Sequence, residues 1–197
     1  MISSVLRFLA AFVVIFIVLM MLPWPGLAYM AVFRTVGTWC FSRDEGQREV
    51  SFLKSPDKSA TFCRIEIANR ARLNPDGSGL VRNVDFDVRG FGWKPMALFI
   101  ALVLASPLPW KRRLVALCWG PLWVQAAVMG LLAFAIWNES SEIGLVTMSP
   151  FWKSLAAECQ HNFIAHFSLA APVVVWLLMT FRTGDLAVWQ QAARNGS

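Results

Sequence analysis

Apolar residues along this chain fall into long blocks, with one polar stretch set between the first two blocks and the rest. The first block runs from Ile2 to Leu22, broken only by Ser3, Ser4 and Arg7, and ends at "PWPG", Pro23 to Gly26. A run of about 18 or more apolar residues reads as a membrane span. The block is longer than the hydrophobic region of a typical cleaved leader, and no A-x-A pattern follows it; a small-residue cleavage site after Ala28 is the alternative. "LAYMAVFRTVGTWCF", Leu27 to Phe41, is apolar but interrupted, which predicts a helix lying along the outer surface with Arg34 facing water.

Residues 42–92 have a different period. In "LVRNVDFDVRGF", Val84, Phe86 and Val88 alternate with Asp85, Asp87 and Arg89; in "TFCRIEI", Cys63, Ile65 and Ile67 alternate with Phe62, Arg64 and Glu66. Period two marks half-buried strands. "NPDGSG" between them is a turn cluster, and "SPDKS" separates a third strand, "REVSFLK". The pattern predicts a three-stranded antiparallel meander, barely stable alone and in need of a surface to rest on.

Three further blocks follow. Phe91 to Pro109 predicts a second span, Leu114 to Trp137 a third, containing Gly120, Pro121 and Gln125, and a helix starting near Ser154 a fourth, apolar from about Phe163 to Phe181. Lys111, Arg112 and Arg113 lie in a short loop between two blocks, and such loops stay in the cytoplasm. The expected fold is therefore a membrane all-α bundle of four transmembrane helices with a small antiparallel β insertion on the periplasmic side. Its parts are a first span and turn (1–25), an interfacial helix (26–41), a periplasmic β-meander (42–92), and spans two to four with a short tail (93–197). Both termini are expected inside a bacterial inner membrane.

Composition agrees with this reading: 57% of the 197 residues are hydrophobic and 15% charged, against about a quarter charged in soluble domains. Mean hydropathy is +0.53. Net charge is +6, but the cations are scattered and none forms a basic face interleaved with aromatics, so a nucleic-acid partner is not expected. Of ten tryptophans, Trp24, Trp39, Trp93, Trp110, Trp137, Trp152 and Trp189 fall near predicted span ends, as interfacial anchors do.

Candidate chemistry is sparse. Cys40 and Cys63 are both expected outside, where an oxidising compartment allows them to pair and close a loop worth about 3 kcal/mol; two free thiols are the alternative. Both histidines lie in "ECQHNFIAHF", residues 158–167. His161 and His166 on one helix would be about 140° and about 7.5 Å apart, so they cannot share a metal. Glu158 and His161 could share a hydrogen bond. His166, one turn inside an apolar run, and His161 are candidate cofactor or pigment ligands in an electron-transfer or light-harvesting assembly. Cys159 is a candidate nucleophile for a membrane thiol enzyme. Gln125 is expected to form a polar contact between helices, with His166 one candidate partner.

"FGWKPMALFIALVLASPLPWKRRLVAL" and "CQHNFIAHFSLAAPVVVWLLMTFR" resemble segments of the exosortase-associated small integral membrane proteins. The order of elements matches over nearly the whole chain, the outer segment in character only. The resemblance implies an accessory role in sorting or processing exported proteins, beside a larger integral membrane partner, with no catalytic residues to carry over. The chain is thus expected to be a non-enzymatic accessory subunit whose other contact is membrane lipid.

Overall fold

The computed structural model describes residues 2–41, 48–55, 61–73, 79–158 and 164–180. Helices α1 (Ile2–Met21) and α2 (Pro23–Phe41) lead into strands β1 (Arg48–Lys54), β2 (Phe62–Leu73) and β3 (Gly79–Asp87). A π-helical turn, Arg89–Trp93, opens α3 (Lys94–Ala105), followed by α4 (Trp110–Glu142), α5 (Pro150–Glu158) and α6 (Ile164–Thr180).

The strands form a single antiparallel meander in the order β1-β2-β3. Its register places Phe52 opposite Ile65 and Ile65 opposite Val84. One face is the core: Cys63, Ile65 and Ile67 are almost wholly buried. On the other face the cross-strand partners Arg64 and Asp85 form an ion pair at 3.1 Å. A bulge between Asn69 and Leu73 bends the far end of β2.

Two helices supply the surface that this thin sheet needs. Along α2, Met30, Phe33 and Gly37 face inward at helical spacing, and Phe33 packs edge-on against Phe52. The Phe52 ring lies so close to Gly37 that a β-carbon there would collide with it. Val128, Leu132 and Ile136 of α4, with Ile143 and Leu145 beyond it, close the same core.

The four-span bundle expected from the apolar blocks is not what the chain forms. Among the described residues one helix, α4, is long and apolar enough to cross a membrane by itself. The α1–α2 pair, bent by 72°, adds at most a second crossing if counted as one broken span. The blocks depart from the expected spans in different ways. The second, Phe91 to Pro109, is split: Gly90 and Gly92 lie in a π-helical turn, and from Ser106, whose backbone is extended, the chain leaves the helix. That leaves α3 with 12 residues, about 18 Å. Of the last block the described residues form α6, 17 residues from Ile164 to Thr180; residues 159–163 and those after Thr180 lie outside the described residues. The third runs five residues past Trp137, to Glu142, and its second half is covered by the sheet.

Helix α3 packs against α1, α4 and α6, and α4 packs against α6. Phe99 and Val103 of α3 and Val124 of α4 make a second, wholly apolar cluster, completed by Val175 and Trp176 of α6. Gly120 lets α3 and α4 approach closely, since a β-carbon there would overlap the Phe99 ring. Outward faces stay apolar: Val14 and Val18 on α1, Leu122 and Trp123 on α4, and Val174 and Leu178 on α6 are all exposed.

Candidate interaction surfaces

Polar contacts concentrate at the two ends of α4. At the sheet end, Arg82 Nε donates to Glu139 Oε2 at 2.9 Å, and the Glu139 side chain is only 10% exposed. Asn69 Nδ2 donates to the Ile143 carbonyl at 3.0 Å. Gly144 makes the reversal after α4 with φ +71°, directly under the Arg72 guanidinium; an L side chain there would be both strained and blocked. Nearer mid-helix, Tyr29 Oη donates to Gln125 Oε1 at 2.6 Å, and the Tyr29 ring fills the space that a side chain at Gly92 would take. Gln125 thus joins α4 to α2, and its partner here is Tyr29.

At the other end, Ser106 gathers three helices. Its hydroxyl donates to the Leu102 carbonyl at 2.6 Å and accepts from Trp176 Nε1 at 2.9 Å. Arg113 Nη2 donates to the Ser106 carbonyl at 2.9 Å, and its guanidinium lies 5.7 Å from the Trp110 ring centre. A cation is well placed where a helix ends in unsatisfied carbonyls. Arg113 therefore turns inward to cap α3, while Lys111 is exposed and Arg112 half-buried. Phe8 stacks on Trp176 at 6.2 Å, which brings the start of α1 to this end. At the opposite end of α1, Arg89 Nη2 donates to the Met20 carbonyl at 2.5 Å, fastening its last turn to the π-helical segment.

An apolar recess lies between α4 and α6. It has a volume of about 650 Å³ and is lined by Ala126 and Ala127 of α4 and Ala170 and Ala171 of α6, together with larger side chains such as Trp123, Val174 and Leu178. Small residues on facing walls let a helix backbone approach closely.

Cys40, on the last turn of α2, is exposed, and Cys63 is buried; both are free thiols, so the expected pairing is not made. The Cys63 Sγ–H points to the Leu53 carbonyl at 3.4 Å. Burial pushes this thiol up to about 11, against an opposing pull from Arg34 and with a smaller push from Asp85. Cys118 is free and exposed on α4. Cys159 and His161 lie outside the described residues, as do the side chains of Glu158 and His166; the backbone of His166 is on the first turn of α6. Among the described residues no group of three or more His, Cys, Asp or Glu is placed to hold a metal ion.

Sequence reasoning missed Tyr29, Ser106 and the Arg82–Glu139 pair. A weak signal existed for the first, since Tyr29 is the chain's one tyrosine and a buried tyrosine needs a partner for its hydroxyl. No protein-family model, curated protein or solved structure matches this chain.

Proposed function

We propose that this protein is a non-enzymatic membrane subunit that holds a small sheet rigidly at one membrane face and offers a helix-sized groove to a larger integral membrane partner. The orientation we propose puts Lys111–Arg113 on the cytoplasmic side and the sheet outside. Lys111, Arg112 and Arg113 lie on the first turn of α4 and not in the expected loop, but cations beside the end of a span are likewise retained in the cytoplasm, and the sheet packs on Val128, Leu132 and Ile136. At 1.5 Å per residue these lie roughly 22 Å or more along α4 from Arg113.

The recess between α4 and α6 carries the reading. In lipid, association is driven by close packing rather than by hydrophobic transfer, and alanine walls favour it. The resemblance to exosortase-associated membrane proteins supplies the setting, in which the partner belongs to a machinery that sorts exported proteins.

Filling the groove tests the proposal. Ala127→Leu with Ala171→Leu is expected to abolish co-purification of the partner from native membranes in mild detergent, while Cys63 stays protected from thiol reagents. A wild-type protein that migrates alone and captures nothing refutes the reading, as does a filled groove that leaves capture unchanged.

A further inference from the structure

Arg34 occupies a position that the subunit reading leaves unused. It sits on α2 one residue after the buried Phe33, and its Nε is buried without a hydrogen-bond partner. Leaving such a donor unmet costs about 1–3 kcal/mol, more for a charged group. No carboxylate pairs with it among the described residues. Its guanidinium lies near enough to the Cys63 thiol to favour that group's ionised form, but a thiol held near 11 stays neutral at physiological pH and offers no counter-charge.

Beside Arg34 is an open recess of about 560 Å³ between α2 and β1, lined also by Thr35, Thr38, Trp39 and Phe52. Arg34 and Thr38 are i and i+4 neighbours and share a helix face. The Thr35 hydroxyl is already committed to the Ala31 carbonyl at 3.0 Å. Thr38 makes no such bond among the described residues, so it is free to donate. Trp39 is 85% exposed, the most of any large apolar side chain among the described residues. No acidic residue lines the recess.

Depth selects the ligand. α2 turns 72° away from α1. If α1 stands along the membrane normal, α2 therefore lies close to the membrane plane. Leu27 and Val32 are exposed on its outer side, and Thr35, Thr38 and Trp39 follow further along. An exposed tryptophan beside a cation is the arrangement found at headgroup level, and a guanidinium matches the two oxygens of a phosphate as a fork.

We infer that the Arg34–Thr38–Trp39 recess binds the phosphate of a membrane phospholipid, with Trp39 against the acyl-glycerol region. The inference rests on the membrane reading above.

The test uses the full-length protein, reconstituted in nanodiscs of phosphatidylglycerol and phosphatidylethanolamine and released for native mass spectrometry. Wild type is expected to retain one phospholipid. Arg34→Gln is expected to bind it roughly tenfold more weakly, the loss of about one charge-assisted bond. Arg34→Lys should recover part of the binding, and Arg112→Gln should bind as wild type. Equal lipid retention in Arg34→Gln and wild type overturns the inference. Stabilisation by inorganic phosphate that depends on Arg34, without lipid retention, also overturns it and identifies a soluble anion instead. Vesicle flotation of the same variants separates the two claims: if wild type does not float, the membrane reading fails, whereas floating variants with unchanged lipid retention condemn the site alone.

Discussion

Leu132 is the residue at which a lipid-facing α4 and a sheet-bearing α4 predict opposite outcomes. Its side chain is fully buried, in one cluster with Ile65 and Ile67 of β2. A gap of about 10 Å³ already adjoins it, lined also by Val84, Phe86 and Ala135. Leu132→Ala would enlarge that gap, and the strands cannot collapse into it without breaking their register. Large-to-small changes at such sites cost about 2–5 kcal/mol; we expect ~3 kcal/mol, roughly a hundredfold in the folding equilibrium. Leu122→Ala, ten residues earlier on the same helix, is the control. Leu122 is 61% exposed, so truncation there should cost less than about 0.5 kcal/mol. The assay is unfolding in mixed micelles by a denaturing detergent, followed by reaction of the Cys63 thiol. If Leu132→Ala is as mild as Leu122→Ala, residues 128–136 face lipid and the sheet is not mounted on α4.

Gly120→Ala should destabilise by about 1–3 kcal/mol through overlap with Phe99, outweighing the roughly 1 kcal/mol that alanine gains in helix propensity; Phe99→Leu should restore part of the loss, and additive effects in a double-mutant cycle would refute the contact. Cys63 ties stability to alkaline pH. Its thiol titrates near 9.0 when unfolded and near 11 when buried, so the unfolded chain loses that proton first, and this contribution, whole below pH 9, is lost as pH rises toward 11. The stability difference between wild type and Cys63→Ala should therefore narrow across that window, and a difference independent of pH would contradict it. Arg82→Gln should cost more than Glu139→Gln, because it takes the guanidinium from a carboxylate that is 10% exposed and stays charged, whereas Glu139→Gln removes the charge; equal costs in the same micelle assay would argue against the pair.

The strands were legible because their period of two survives in the sequence, with Cys63, Ile65 and Ile67 on one face and Arg64 and Glu66 on the other. The spans were not. An apolar helix face carries the same composition whether lipid or protein covers it, so the block Leu114 to Trp137 read as a span throughout, although Val128, Leu132 and Ile136 within it are buried in one core with β2. At the start of the second block Gly90 and Gly92 were visible, but their consequence, a π-helical turn with the Tyr29 ring packed on Gly92, involves a helix more than sixty residues earlier in the chain. Of the polar residues singled out, Gln125 does link two helices, but its partner comes from α2, a pairing that no local pattern encodes. Arg113 was visible as charge; its inward capping of α3 follows from where Ser106 ends that helix.

The central claim is that α4 carries the basic cluster and the sheet at opposite faces of a membrane. Single cysteines introduced by Lys111→Cys and by Glu66→Cys, in a chain whose own cysteines are replaced by serine or alanine, test it with a membrane-impermeant maleimide on spheroplasts. The account predicts labelling at position 66 in intact spheroplasts and at position 111 only after lysis. Equal labelling of both positions before lysis, or recovery of the protein in the soluble fraction, would contradict it.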